Sequence, residues 1–454
     1  MRFSSYDIVT RKLNNGGHII LSGLTGLLDL IDEEAYELID AHKDDECLSD
    51  ELIDQMGDIK DHFLKRGYLT ELSPADELRA AAKKAAEMEA ELTGGKWSIV
   101  LVPNLGCNYR CSYCFEKESG YPKRTMNKKQ VDAVYEIIKD KIPSGECITL
   151  YGGEPLDARN RELVEYIVQK GKERGYYFFA VTNGHGLDSY MDLLGKDMIR
   201  ILQITLDGPS YIHDKRRVST DGLPSYDKIV SNIERALKET GVEIRLRMNL
   251  DHSNAPYMME LLTDLDKRGI LNNKAVTLAA SPVVGDSDGM LKYDEVRGME
   301  KEAEAKYPKL KNIIMGMLRG TNEMILPSLF FEEPIALRVT VCGAAHCMKV
   351  FAADGSIYSC WSCVGNPAEK IGQFDEAANV VWDGKALERW KNKMLGSKEH
   401  CLKCKYAFIC GGGCLRPALS GEKDVNAHDC DFYYSRFDDH LAKLTEEYLS
   451  AGNE

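Results

Sequence analysis

The sequence predicts an α/β fold organised around an open, partial (β/α)6 barrel, with a small N-terminal domain before it and a cysteine-rich domain after it. Three observations predict this. From Trp97 onward, short apolar runs alternate with polar, helix-forming stretches, the pattern of right-handed βαβ units and a parallel sheet. Before Leu72 the segments are short and mix strands with helices. From Val341 to Cys430 the chain is rich in Gly and Cys, with few long periodic segments. Such a region buries too little apolar surface to fold unaided and relies on metal staples.

The elements follow in order. His18-Ile19-Ile20-Leu21 and Gly26-Leu27-Leu28-Asp29-Leu30 read as strands, with Asn14-Asn15-Gly16-Gly17 as a turn. Asp32-Glu33-Glu34 and Ser49-Asp50-Glu51 each open a helix, with acidic residues where the helix dipole favours them. A third helix, around Ile59 to Lys65, ends at Gly67, and Ser73 to Gly95 predicts a connecting helix stopped by Thr93-Gly94-Gly95. The sheet strands are Ser98–Val102, Cys147–Leu150, Tyr177–Val181, Ile201–Thr205, Glu243–Met248 and Ala275–Leu278. Lys128–Lys139, Arg161–Lys172, Tyr226–Lys238 and Pro256–Arg268 are the helices between them. These units fall short of a closed eightfold barrel, and the chemistry of such folds sits on loops at the carboxyl ends of the strands. Residues from about Gly289 to Arg319 are expected to be helical, as is a final stretch from Tyr433 to Leu449. The expected boundaries are 1–72, 73–95, 96–320, 321–432 and 433–454.

Composition narrows the class. The net charge is 58 − 72 = −14, which speaks against a general binder of nucleic acid or anionic membrane. The sequence contains no run of about 18 apolar residues, the length that would suggest a bilayer-spanning helix. Met1-Arg2-Phe3-Ser4-Ser5-Tyr6-Asp7 lacks the apolar core of a signal peptide, so a cytoplasmic location is expected. The fourteen cysteines are then reduced thiols rather than disulfides. Most fall into two clusters, which read as metal sites.

The first cluster is Cys107-Asn108-Tyr109-Arg110-Cys111-Ser112-Tyr113-Cys114. Its C-x3-C-x2-C spacing supplies three thiolates where an ordinary [4Fe–4S] cluster uses four, leaving one iron open to a ligand. Three buried cysteines along one helix face would be the plain alternative. Pro103, Asn104, Gly106 and Asn108 favour a loop. After the second strand comes Tyr151-Gly152-Gly153-Glu154-Pro155. Its glycines let the backbone approach a ligand, and its carboxylate accepts from an ammonium group. Thr182-Asn183-Gly184 follows the third strand. The fourth ends in Thr205-Leu206-Asp207-Gly208-Pro209, with His213-Asp214-Lys215-Arg216-Arg217 beyond. Taken alone, Asp207-Gly208-Pro209 is a turn and Arg216-Arg217 a solvated charge pair.

These motifs together resemble the radical S-adenosylmethionine (SAM) superfamily. The resemblance implies that the open iron of the Cys107, Cys111, Cys114 cluster chelates the methionine part of SAM. One electron then cleaves the sulfonium to a 5′-deoxyadenosyl radical. It further implies that Gly152, Gly153 and Glu154 meet the methionine amino group, with Asn183 on the same rim. Thr205 would meet the ribose, Arg217 the carboxylate and Tyr113 the adenine.

The second cluster of cysteines comprises Cys342, Cys347 and Cys360, with Gly355 between, then Cys401-x2-Cys404-x5-Cys410-x3-Cys414 and Cys430. C-x2-C pairs also build four-cysteine zinc sites, so a zinc-stapled binding protein is the non-enzymatic alternative. The spacing resembles the SPASM extension of radical SAM enzymes that modify peptides and proteins. This implies two auxiliary [4Fe–4S] clusters, one on Cys342, Cys347, Cys360 and Cys414 and the other on Cys401, Cys404, Cys410 and Cys430. Cys47, Cys147 and Cys363 remain over, and the role of Cys363 stays open. The N-terminal segment is similar to the winged-helix-like recognition element of maturases of ribosomally made peptides, in which a leader peptide adds a strand to a sheet edge; a structural cap is the alternative.

The resemblance, from Trp97 to Cys430, therefore implies a radical SAM/SPASM maturase acting on a precursor peptide with a leader. Its electron donor would be a flavodoxin or ferredoxin. The expected product is an intramolecular thioether crosslink, with a carbon–carbon crosslink, epimerisation or oxidation as alternatives. One departure bears on the reaction. Sulfatase-maturating relatives carry an Asp base directly after the third cysteine of the first auxiliary site, where Trp361 follows Cys360 here. Tryptophan cannot take that proton.

Overall fold

The computed structural model describes residues 1–92, 94–114, 116, 124–283, 291, 293–307, 333–415 and 426–451. The chain forms two compact units, each discontinuous in sequence. One comprises Met1–Gly94, Met317–Ala345 and Trp390–Glu454; the other comprises Gly95–Gly316 and His346–Arg389.

The first unit begins with β1 (Arg2–Phe3), β2 (Asp7–Val9), β3 (His18–Ser22) and β4 (Leu28–Ile31). β2, β3 and β4 form an antiparallel sheet in that order. Helices α1 (Glu33–His42), α2 (Asp50–Met56) and α3 (Asp58–Arg66) follow, and β5 (Leu69–Thr70) pairs with β1. The side chains of Asp32 and Ser49 accept hydrogen bonds from Ala35 N–H and Leu52 N–H, satisfying donors that no helical carbonyl reaches. α3 stops where Gly67 turns left-handed at φ 86°, a conformation that costs little without a Cβ. Phe3, Ile20, Ile39, Phe63 and Tyr68 close the core between sheet and helices, each large apolar side chain contributing about 1.5–3 kcal/mol on burial.

α4 (Pro74–Glu91) starts at a Ser73 cap; Thr93, in its expected stop, lies outside the described residues. α4 buries Ala81 and Ala85 in a core shared with Tyr6, Val339, Leu395, Leu402 and Phe408. The N-terminal segment and connecting helix thus share one core with part of the cysteine-rich region. These positions are scattered through the chain, so no local periodicity marks them. The C-terminal helix spans Asn426–Ala451, beginning earlier than its expected start at Tyr433.

The second unit holds β6 (Ser98–Val102), α5 (Lys128–Ile138), β7 (Cys147–Leu150), α6 (Arg161–Lys172), β8 (Tyr177–Thr182) and β9 (Ile199–Thr205). It continues with α7 (Ser210–Arg216), α8 (Tyr226–Glu239), β10 (Glu243–Leu250), α9 (Met258–Lys267), β11 (Val276–Pro282) and α10 (Tyr293–Lys306). β6 to β11 lie side by side in chain order and all run parallel. This is the open, parallel-rich α/β sheet that strand–helix alternation predicts. The helix expected over Gly289–Arg319 is observed as α10, and most of the remainder of that stretch, with the boundary at 320, lies outside the described residues.

The cysteine-rich region adds strands that its composition did not reveal. β12 (Met348–Ala352) pairs parallel with the free edge of β6, and β13 (Ser356–Tyr358), β14 (Lys370–Phe374) and β15 (Val380–Trp382) extend the sheet antiparallel. Among the described residues no helix is long and apolar enough to cross a membrane.

Candidate functional site

The expected SAM-contact residues and the first three cysteines follow the carboxyl ends of β6 to β9, where open α/β sheets bind ligands, whereas Cys347 directly precedes β12 and lies at the amino end of its partner β6. Cys107, Cys111 and Cys114 lie on an irregular loop after β6, not on a helix. The loop is zipped to the segment after α7. Arg110 N–H donates to Val218 O at 2.7 Å, Ser112 N–H to Arg216 O at 2.9 Å, and Thr220 N–H to Asn108 O at 2.8 Å. Burial pushes the Cys107 thiol far up, and the nearby Glu154 carboxylate adds to the shift. A thiol so placed ionises only beside strong positive charge, which bound iron supplies. The donor set therefore fits a cluster.

The two glycines after β7 serve close backbone contact. Gly152 and Gly153 have φ of 82° and 44°. A Cβ on Gly153 would stand 2.2 Å from Gly106 O, and one on Gly152 would stand 2.3 Å from Val102 Cγ1. Glu154 N–H donates to Gly106 O at 3.0 Å, so the β7 loop is sewn onto the cysteine loop. Gly153 N–H in turn donates to Glu116 Oε2 at 3.1 Å.

Glu154 is buried, and its carboxylate accepts from Thr182 Oγ1 at 2.5 Å, Asn183 N–H at 2.6 Å and Leu156 N–H at 2.9 Å. A carboxylate has about four lone-pair positions, so three donors leave room for one more. Burial outweighs these donors and raises its pKa to about 7. Glu116, close by, is raised to about 7 for the same reason, with Glu154 adding to the shift. An ammonium group brought to the vacant position offsets that burial. Asn183 donates through Nδ2 to Asn108 Oδ1 at 2.7 Å, and Thr205 is buried at the end of β9.

Arg217, the position expected to hold a carboxylate, is buried. Its Nη1 donates to Tyr113 Oη at 2.8 Å, while its buried Nε–H finds no acceptor among the described residues. An unsatisfied buried guanidinium donor is costly and suits an anionic ligand. The Tyr113 hydroxyl donates to Asp207 Oδ2 and accepts from Asn249 Nδ2 at 3.1 Å. The Arg216 guanidinium lies 5.1 Å from the Tyr113 ring centroid. Asp207 also accepts Asn249 N–H at 2.9 Å. Asp207, Asn249 and Glu116 escape a sequence reading. Asp207 looks like a turn residue, and the others join the site only through long-range pairing.

Trp361 stacks on Tyr151 with ring centroids 5.5 Å apart and an interplanar angle of 21°. Tyr151 is partly buried, and its pKa is raised by desolvation first and then by Glu116, Cys114 and Cys360 around it. Trp361 thus forms an aromatic face with Tyr151, beside the Gly-Gly motif. Cys347 and Cys360 lie in this unit, whereas Cys342 and Cys414 lie in the other. Cys401, Cys404, Cys410 and Cys430 all belong to the first unit. Burial, with smaller contributions from Cys430 and Cys401, raises Cys410 to about 11, so these three of the set sense one another. Cys363 is buried. Among the described residues, no three His, Cys, Asp or Glu side chains converge on a single-ion site; the thiolates of a cubane each bind a different iron.

The model of the Radical SAM superfamily matches residues 101–265. A cysteine-type anaerobic sulfatase-maturating enzyme of Clostridium novyi is 22% identical, over 77% of this chain and 96% of its own. The radical SAM cyclopropyl synthase TigE of Paramaledivibacter caminithermalis is also 22% identical, over 95% of this chain and 93% of its own. The structure of anSMEcpe with bound AdoMet matches with a TM-score of 0.59 at 18% identity, covering 78% of this chain and 96% of that one. The same protein with AdoMet and the Cp18Cys peptide gives 0.56 at 18% identity, over 78% and 99%.

Proposed function

We propose that this chain, which belongs to the radical SAM superfamily, modifies a ribosomally made precursor peptide, closing an intramolecular thioether crosslink. The observation that carries the reading is the convergence of the Cys107–Cys114 loop, Glu154 and Arg217 at one end of the parallel sheet. Cys107, Cys111 and Cys114 would hold the SAM-binding [4Fe–4S] cluster. When bound, the cofactors supply a 5′-deoxyadenosyl radical for hydrogen abstraction and auxiliary [4Fe–4S] clusters that accept the second electron. The chain's own residues bind and orient. Glu154 would accept from the SAM ammonium group and Arg217 would donate Nε–H to its carboxylate. Tyr113, fixed at its hydroxyl by Asp207, would present ring and backbone to the adenine. Tyr151 and Trp361 form an aromatic wall that excludes water.

The N-terminal sheet β2–β4 would take the leader as an added strand. Likeness to anSMEcpe, whose structure includes the Cp18Cys peptide, supports a peptide substrate, and a flavodoxin or ferredoxin would supply the electron. A second reading, a carbon–carbon bond, is favoured by the match to TigE, which spans 95% of this chain. Formylglycine formation is disfavoured by Trp361, although sulfatase-maturating enzymes are among the relatives. Incubating reduced protein with SAM and a candidate precursor separates these outcomes. A thioether-linked peptide two hydrogens lighter, unreactive to thiol alkylation, is expected. A product with the same mass loss that still alkylates at every cysteine supports the carbon–carbon reading.

The SAM contacts are separately testable. Arg217→Ala and Glu154→Gln should each weaken SAM binding about 10- to 100-fold, the worth of a charged hydrogen bond, with iron content unchanged. Glu154 ionises only near pH 7 in the folded chain, against an ordinary value of 4.5. Its burial penalty therefore erodes stability as pH rises from about 4.5 through 7. An ammonium ligand removes that penalty, so SAM affinity should rise with pH through about 7. Calorimetry in buffers of different ionisation enthalpy should show proton release on binding that Glu154→Gln reduces. Unchanged affinity in both variants contradicts the assignment.

A further inference from the structure

We propose that the N-terminal segment is one wall of the second four-cysteine site, with Tyr6 and Gly23 as positioning residues for the loop that carries Cys401, Cys404 and Cys410. The inference rests on reading those three cysteines, with Cys430, as ligands of one auxiliary cluster.

The loop has little regular structure of its own. Two four-residue helices, Glu399–Leu402 and Ala407–Cys410, flank a turn in which Cys404 N–H donates to Cys401 O at 3.0 Å. Gly411, Gly412 and Gly413 then follow with φ of 69°, 78° and 72°. Backbone this irregular keeps its shape only where neighbours fix it. One neighbour is the N-terminal segment. The buried Tyr6 hydroxyl donates to Leu402 O at 2.5 Å, between Cys401 and Cys404. Gly23, in the turn after β3, lies against the backbone beyond Cys404, where a Cβ would stand 2.3 Å from Lys405 O and 3.0 Å from Tyr6 O. Gly23 N–H donates to that same Tyr6 O at 2.8 Å, so the two contacts act as one clamp.

Other segments of the unit complete the enclosure. Arg338 N–H donates to Phe408 O at 2.8 Å, and Tyr406 Oη donates to Asp438 at 2.7 Å, on the helix that bears Cys430. Glu89 of α4 accepts Gly396 N–H at 2.7 Å. Tyr6, Leu402, Ala407 and Phe408 then share one apolar core. Tyr6 directly precedes β2 and Gly23 directly follows β3. The sheet proposed to take the leader is therefore fastened at two points to the cysteine loop, and a strand added to it acts on the cluster through them. By linkage, cluster loading alters peptide affinity to the same degree. It also follows that residues 1–72 are not removable without uncovering this loop.

The test uses full-length protein prepared anaerobically, with Tyr6→Phe and Gly23→Ala. Wild type should hold about twelve irons, and Gly23→Ala about eight, with SAM cleavage in the absence of peptide retained. Tyr6→Phe should keep its iron but lose one cluster to a chelator about five-fold faster, the worth of one hydrogen bond of about 1 kcal/mol. It should also shift the reduction potential of one cluster and leave the other two unmoved, which loss of general stability would not do. Full iron in Gly23→Ala together with three unmoved potentials in Tyr6→Phe overturns the proposal alone. Wild-type protein lacking the second auxiliary cluster overturns the cluster reading and the proposal with it. If Gly23→Ala is insoluble, the potentials and chelator rates of Tyr6→Phe decide.

Discussion

Replacing Cys107, Cys111 and Cys114 together by Ala is expected to remove about four of about twelve irons per chain and to abolish SAM cleavage. The remaining irons should stay, because none of the other expected ligands shares this loop. The loop itself should keep its path, since its bonds to Val218, Arg216 and Thr220 run through backbone atoms. The three thiols are small and only partly buried, so thermal stability of the iron-free protein should change little. Iron analysis, cluster electron paramagnetic resonance with and without SAM, and 5′-deoxyadenosine yield read the three outcomes independently. Residual cleavage in the triple variant would move the catalytic cluster elsewhere.

Gly153→Ala is expected to lower SAM cleavage about 100-fold, the cost of roughly 1 Å of misplacement at a reacting centre. The added methyl meets Gly106 O at 2.2 Å, and both partners are backbone. No flexible side chain can give way, so the cysteine loop or the Glu154 loop must move. Gly145→Ala is the control. Its φ of 88° carries the same left-handed strain, but nothing stands within 4 Å of the added Cβ. It should cost about 1–2 kcal/mol of stability and leave cleavage intact. Equal activity losses in the two variants would show that strain, rather than the loop-to-loop contact, is responsible.

The contrast shows what local sequence conveys and what it does not. Strands β6 to β11 are legible because buried parallel strands read as short continuous apolar runs, such as Ile99-Val100-Leu101-Val102. β12, Met348-Lys349-Val350-Phe351-Ala352, is a similar run interrupted by Lys349. Its partner β6 lies far back in the chain, and cysteine-rich surroundings made a metal-stapled segment the simpler expectation. In the site, spacing groups Cys107, Cys111 and Cys114, because all three sit on one short loop, whereas the later eight cysteines are sorted into two sets only by resemblance. The Gly-Gly-Glu motif is equally plain, but its glycines turn out to meet Val102 and Gly106 as well as any ligand. Asp207 could not be found this way. Its carboxylate matters only because β9, β10 and the cysteine loop meet around the Tyr113 hydroxyl. The clamp of Tyr6 and Gly23 on residues 402–405 is likewise a matter of tertiary packing.

The metal and sulfide content of wild-type protein, purified anaerobically and then reduced in the presence of SAM, tests the central claim most directly. About twelve irons with matching acid-labile sulfide, and 5′-deoxyadenosine as the product, are expected. Stoichiometric zinc with little sulfide, or a fully iron-loaded chain that leaves SAM uncleaved, would contradict it.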